Sequence, residues 1–437
     1  MLVTVVAAAS GHCAAGRAPG EVAVAIQVTS RYGPAGHGAR RVRVWAPAVV
    51  FAVPITSCGG EDTAETAGNA ERSGPSAVAV ELPQAPPSPR EDVPAALTDP
   101  NADGLPAPLV DTHRLLSGGP APDGIPAIDR PRFLRATDVD FLDPVEPVLG
   151  LELGGEERAY PVQILIWHEI VNDTVGGIPV AVTYCPLCNS ALAFDRRAAG
   201  RVLDFGTSGM LYNSDLVMYD RQTRSLWPQI EGRAVAGVLT GTSLTPYVIS
   251  TVSWGEWRAA HPGDWVLSRD TGHTREYGRN PYTGYDQPDG SPFAFDGDAD
   301  PRLPPMTRVV GLGAGADAVA VALDRLAAAR VMEVTVAGES VVLFARPGLA
   351  SALDTADIAR GREVAATGAF TPMVDGRRLS FQADGDRFVD AQTGTRWNVL
   401  GEATEGPLRG KQLKPERHVD TFWFAWAAFQ PDTRLIQ

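Results

Sequence analysis

Asp220-Arg221-Gln222-Thr223-Arg224-Ser225-Leu226-Trp227 is answered 170 residues later by Asp390-Ala391-Gln392-Thr393-Gly394-Thr395-Arg396-Trp397. Working outward, Trp254-Gly255-Glu256-Trp257 with Pro262 is matched at offset 169 by Trp423-Phe424-Ala425-Trp426 with Pro431. At offset 161, Val148-Leu149-Gly150 corresponds to Val309-Val310-Gly311, Gly177-Ile178-Pro179-Val180 to Gly338-Glu339-Ser340-Val341, and Pro186 to Pro347. Ordered matches with a slowly drifting offset predict one domain present twice, and nothing repeats at the 20–50 residues of a solenoid. The first copy is placed at residues 110–286 and the second at 307–437. Residues 287–306, rich in Pro, Gly and Asp, form the linker.

Within a copy the pattern is mostly strand. Val148–Leu153, Val180–Tyr184, Ala191–Asp195, Val202–Gly206, Leu216–Asp220 and Ala234–Leu239 are short, β-branched or aromatic runs bounded by Gly, Asn or Asp. Pro161–Val171 reads as a helix with proline at its first position, and Trp254–Ala260 as a second one stopped by His261-Pro262. The expected fold class is α+β: a duplicated, mostly antiparallel β-rich domain with short helices, two copies in tandem.

The N-terminal region has a different grammar. Arg40-Arg41-Val42-Arg43, the apolar run 44–54 and Ile55-Thr56-Ser57-Cys58 read as a secretory signal whose end resembles a bacterial lipobox, with Cys58 as the acylated residue. Residues 1–39 are read as an upstream extension outside the mature protein. From Gly59 to Leu105 nine acids face two arginines, and the whole segment 59–108 is expected to be a disordered acidic stalk. The chain carries a formal charge of −14, and removing residues 1–57, with five Arg and one Glu, makes it more acidic still. Such a balance argues against nucleic acid and against electrostatic docking on anionic lipid. The expected location is extracytoplasmic, tethered to the membrane by the lipid alone, with any small-molecule or protein partner left open.

With Cys13 and Cys58 so assigned, Cys185 and Cys188 are the remaining thiols, in Thr183-Tyr184-Cys185-Pro186-Leu187-Cys188-Asn189-Ser190. At the duplication offset they fall on Arg346 and Leu349, and His168 on Ala329, so the expected site is single and lies in the first copy. Three chemistries fit the pair. A Cys-x-x-Cys loop offers two thiolates to one ion, with His168 as the preferred third ligand ahead of His261, His273 and Met210; copper or zinc suits that set. A structural disulfide would pin a tight turn in an envelope binding protein. A thiol oxidoreductase needs a helix after the first cysteine, whereas Asn189–Asp195 looks like a strand. The metal reading is favoured, with enzymatic activity left undecided.

Two other segments could line a pocket: the turn around Met210, Tyr212, Asn213 and Asp215, and the loop bearing Arg269, Asp270, His273, Tyr277, Tyr282 and Tyr285. Glu169 and Asp173 are read as solvated acids flanking the helix. Gly311-Leu312-Gly313-Ala314-Gly315 aligns with a strand and turn of the first copy and is weak as a nucleotide loop.

The runs Trp167-His168-Glu169-Ile170-Val171-Asn172-Asp173, Tyr184–Cys188, Leu211–Leu216, Trp254–Trp257 and Leu267–Gly272 together resemble a bacterial and archaeal family known only as a domain of unknown function. The resemblance runs from about Leu115 to Pro431. It implies an exported or membrane-anchored protein and assigns no residue a role.

Overall fold

The computed structural model describes residues 95–437 and a two-residue strand at Val78–Ala79. The expected extension 1–39 and the signal 40–58 with its acceptor Cys58 lie outside the described residues. So does most of the expected stalk. Its last part, 95–108, does not project into solvent: Ala96 is buried with Val217, Leu226 and Val235, and the Leu97 N–H donates to the Arg224 carbonyl.

The described chain is β-rich. Its helices, α1 (Val162–His168), α2 (Trp254–Ala260), α3 (Leu323–Ala329) and α4 (Trp423–Phe429), have seven residues each. In the N-terminal half the hairpin Pro147–Leu153/Glu156–Pro161 is flanked by Ser250–Ser253 and, in parallel, by Trp265–Leu267. In the C-terminal half Arg308–Leu312/Val319–Ala322 is flanked by His418–Phe422 and, again in parallel, by Arg434–Ile436. A second sheet orders Ile170–Val175, Ile178–Cys185, Ser190–Asp195 and Pro246–Tyr247; the order Val331–Val336, Glu339–Ala350, Glu363–Thr371 and Lys414–Pro415 occurs later in the chain. Pairing is otherwise antiparallel in these sheets.

The opening motif is a cross-braced turn. Asp220 accepts from the Thr223 N–H at 2.6 Å, the Thr223 hydroxyl at 2.7 Å and Trp227 Nε1 at 3.0 Å. Asp390 accepts from the Thr393 N–H at 2.6 Å, the Thr393 hydroxyl at 2.8 Å and Trp397 Nε1 at 3.0 Å. The aspartate makes an Asx-type turn and satisfies the indole N–H of a fully buried tryptophan, so both residue types are needed at that spacing. The Gly of the Val-x-Gly motif has an equally local cause. A Cβ on Gly311 would lie 2.3 Å from the Trp426 ring, and one on Gly150 3.0 Å from that of Trp257.

Three expected elements differ. The strand expected at Val202–Gly206 is divided: Arg201–Val202 pairs with Arg197–Ala198, and Phe205–Tyr212 pairs with Asp215–Asp220. The helix ends at His168 because Glu169 takes φ +58°; its N–H still reaches the Leu165 carbonyl, and Ile170-Val171 enter the strand paired with Thr183 and Val182. Residues 234–239 form no strand and make one isolated bridge, Ala236 to Leu226, with Arg233 bridging Ser243 beside them, because Gly232, Gly237 and Gly241 turn the chain at positive φ.

Gly311→Ala is expected to destabilise the protein by about 1–3 kcal/mol, since the methyl must displace a packed indole. Denaturant unfolding of the variant checks this, with Gly155→Ala, which meets nothing within 4 Å but has φ +79°, separating backbone strain from overlap.

Candidate metal centre and adjoining cleft

The site forms where the second sheet meets a hairpin of its neighbour. Strand Ile178–Cys185 ends on Cys185, and the turn Pro186–Asn189 returns the chain at Ser190, which pairs with Cys185. Asn189 closes that turn at φ +53° and accepts from the Tyr184 hydroxyl. Opposite, Phe205–Tyr212 and Asp215–Asp220 are joined by Asn213 and Ser214 at φ +52° and +66°, the two-residue turn whose twist matches paired strands. That hairpin sets Asp215 against the cysteines. Cys185 Sγ, Cys188 Sγ and an Asp215 carboxylate oxygen all lie within 4.8 Å of one another, and all three residues are buried.

Both cysteines are free thiols. Cys188 Sγ donates to the Ser214 carbonyl at 3.6 Å, and burial pushes its thiol well above the ordinary range. Asp215 accepts from the Ile230 N–H at 3.0 Å through one oxygen, while Oδ1 is buried with no hydrogen-bond partner. Burial lifts its carboxyl to about 8. The rear of the turn is held by the C-terminal half: the Cys188 carbonyl accepts from the Phe422 N–H at 3.0 Å and the Thr421 hydroxyl at 2.8 Å.

His168 is not in this group. Its Nδ1 contacts the Pro126 carbonyl and its Nε2 the Tyr277 hydroxyl, each at 2.7 Å. A carbonyl only accepts, so Nδ1 carries the proton and Nε2 accepts from Tyr277. Burial lowers the imidazole to about 4, so it is neutral. Tyr277 in turn meets the Thr271 hydroxyl, and the exposed His273 ring lies 5.3 Å from that of His168. His261 is elsewhere, in an ionic cluster with Glu157, Asp264 and Glu402.

The remaining pocket residues divide. Met210, Tyr282 and Tyr285 line a cleft of about 700 Å³ beside the cysteine turn, together with Leu187 and Glu169. Arg269 instead reaches Gln163 and the Phe141 carbonyl, Asp270 pairs with Arg132, Tyr212 packs on Phe429, and Asn213 accepts from Arg114. These are structural contacts.

Both acids expected to be solvated are buried. Asp173 is held by Arg158 at 2.8 Å and by the Tyr160 hydroxyl at 2.6 Å. Glu169 is 7% exposed, and burial alone raises its carboxyl to about 8. Helix-flank position suggested solvent, but the positive-φ step at Glu169 turns its chain inward. A signal for Asp215 existed: Asn213-Ser214 between apolar strands marks a tight hairpin that fixes the next residue's position.

The fold and the thiol–carboxylate group thus describe a β-rich protein with a fully buried candidate ion-binding cluster, beside a half-buried second group of Glu157, His261 and Asp264. The chain belongs to the family described as Protein of unknown function (DUF3179), whose profile matches residues 122–433. No curated protein and no solved structure matches the chain.

A histidine lowered to about 4 in the folded state, against 6.5 in the unfolded chain, leaves the unfolded state binding more protons between those values. Stability should therefore fall as pH drops through that window, by on the order of 2 kcal/mol. His168→Gln should remove that part of the acid slope, read from urea midpoints measured against pH.

Proposed function

We propose that this chain is an exported, lipid-anchored protein that holds one transition-metal ion through Cys185 Sγ, Cys188 Sγ and the Asp215 carboxylate. The observation that carries the reading is the buried Asp215 Oδ1, without a hydrogen-bond partner, within 4.8 Å of two buried free thiols. Buried carboxylates are normally paired, hydrogen-bonded or bound to a cation. A bound ion would act as a Lewis acid there and hold the three side chains as anions. The carboxylate is a harder donor than the imidazole expected from sequence, which favours zinc over copper(I). That preference supports metal handling rather than redox turnover.

Two features speak against the other chemistries. The turn after Cys185 leads into strand Ser190–Asp195, with no helix N-terminus to stabilise a thiolate. The cysteines are free, which gives the structural-disulfide reading no support. The repeated strand orders and the paired Asp–Thr–Trp turns support a tandem duplication, in which the C-terminal copy lost or never acquired the thiols. The signal at residues 40–58 and its Cys58 acceptor support export and lipid anchoring. Among the described residues no helix is long and apolar enough to cross a membrane.

The test is metal content and free-thiol titration on the full chain from an exporting host, after zinc and copper loading. Stoichiometric zinc should be lost in Cys185→Ser, reduced at least about tenfold in affinity in Asp215→Asn, and retained in His168→Gln. Absence of metal in the loaded wild type would overturn the reading, and loss in His168→Gln with retention in Asp215→Asn would restore the histidine as ligand. Separately, Cys58→Ala should abolish incorporation of labelled fatty acid and release the protein from the membrane fraction.

A further inference from the structure

The cleft beside the cysteine turn has a chemical character of its own. Its walls come from Leu187, Met210, Leu216 and the rings of Tyr282 and Tyr285, and the segment 291–294 closes one side, tied by the Phe293 N–H to the Tyr285 hydroxyl at 3.1 Å. At about 700 Å³ it falls within the range of small-molecule sites. No lysine, arginine or histidine is among its lining residues, and Glu169 is the one carboxylate. Glu169 is more than nine-tenths buried, and its side chain makes neither an ion pair nor a hydrogen bond among the described residues. The Tyr184 N–H that comes to it binds its backbone carbonyl at 2.8 Å, not its carboxylate.

The corresponding position in the C-terminal half shows what the fold alone asks for. Arg330 takes the same backbone step, φ +66° with its N–H on the Leu326 carbonyl at 2.7 Å, and it spends its side chain on the Ala345 and Gly385 carbonyls. The side chain at that helix end is therefore satisfied by backbone carbonyls, acceptors that a carboxylate cannot use. Glu169 is not, and it is left facing an apolar, aromatic cleft.

We propose that this cleft binds a small apolar amine, whose ammonium pairs with Glu169 while its hydrocarbon body lies against Leu187, Met210, Tyr282 and Tyr285. Charge complementarity selects that class. A single carboxylate in an apolar enclosure is one ligand for an inorganic cation, too few for a metal, whereas one ammonium supplies the missing counter-charge. The aromatic rings add favourable contact for an organic cation. Burial keeps Glu169 mostly protonated near neutral pH; an ammonium ligand would stabilise its ionised form, whereas a carboxylate ligand finds no positive charge in the cleft. The site does not depend on the metal reading, because Glu169 is not among the grouped atoms of Cys185, Cys188 and Asp215.

The test uses isothermal titration of the full chain with phenethylamine, 2-phenylethanol and 3-phenylpropanoate, which share a body and differ in the polar end. The amine should bind at least about tenfold more tightly than the alcohol, the scale of one hydrogen bond to a charged group, and the carboxylate should not bind. Glu169→Gln, with folding verified by its unfolding midpoint, should bring the amine down to the alcohol. The amine is titrated into both zinc-loaded and chelator-treated chain; preference for the amine in the zinc-free sample keeps failure of the metal reading and failure of this one distinguishable. Equal binding of amine and alcohol to the wild type, preference for the carboxylate, or no binding of any of the three would overturn the proposal. The comparison within the wild type decides it even where Glu169→Gln does not fold.

Discussion

The Cys188 carbonyl is the point on which both halves of the molecule converge. It sits in a tight turn with no strand partner of its own, and it is satisfied by the Phe422 N–H and the Thr421 hydroxyl, more than 230 residues along the chain. A buried carbonyl left without donors would cost about 1–3 kcal/mol. The turn is therefore completed only when strand His418–Phe422 docks on it. The same strand pairs with Arg308–Leu312 and begins α4 at Trp423, so the core of the C-terminal half and the geometry of the two thiols are one cooperative unit. The thiols are thus positioned from behind by one half and faced by a hairpin of the other.

The two halves repeat a strand order and differ in what they display. Where the N-terminal half turns sharply through Cys185 to Cys188, the C-terminal strand Glu339–Ala350 runs on with a bulge between Arg346 and Leu349. Arg346, at that bulge, pairs with Glu256 of α2 at 3.2 Å, tying the halves together. The longer excursion that follows, 351–362, gives backbone hydrogen bonds to the loop carrying Tyr282 and Tyr285: Gly284 donates to Asp354, Tyr285 to Leu353, and Asn280 to Ala356. The half without thiols thus supplies the frame for the cleft next to them. Asp286, at the base of that loop, is held by Arg308 at 2.7 Å and Arg362 at 2.8 Å, with burial outweighed by the two guanidinium groups so that its carboxyl lies below the usual range.

What was legible in the sequence is what closes within a few residues. The Asp–Thr–Trp turn needs eight consecutive positions, and α2 is announced by Ser253, whose side chain accepts from the Glu256 N–H. The β-rich class followed from short alternating runs. The helix at Pro161–Val171 was placed correctly but run three residues too far, because nothing local announces the positive φ of Glu169. That error propagated into the site. Proximity in sequence pointed to His168 as the third ligand, yet the helix end directs His168 toward Pro126 and Tyr277 and its neighbour Glu169 into the cleft. Asp215 was named only as a pocket residue: Asn213-Ser214 marks its hairpin locally, but the docking of that hairpin on the cysteine turn of a different sheet is tertiary and not written in any local pattern.

The two raised carboxyls pose one physical problem with two different solutions. Asp215 and Glu169 are both lifted to about 8 by burial, and neither has a cation beside it to bring it back. Asp173 and Asp286 show that this fold can place arginines on buried acids where it needs them only as structure. The absence of any such arginine at Asp215 and Glu169 is therefore a property of those positions and not a general tolerance of the core. At Asp215 two thiols stand within ligand reach, a donor set that suits a metal ion. At Glu169 the neighbours are aromatic and aliphatic and the space is large enough for a molecule. Both carboxyls are mostly protonated near neutral pH, and the proposed ligands, an ion at one position and an organic cation at the other, would each favour ionisation; the difference lies in what surrounds each carboxyl.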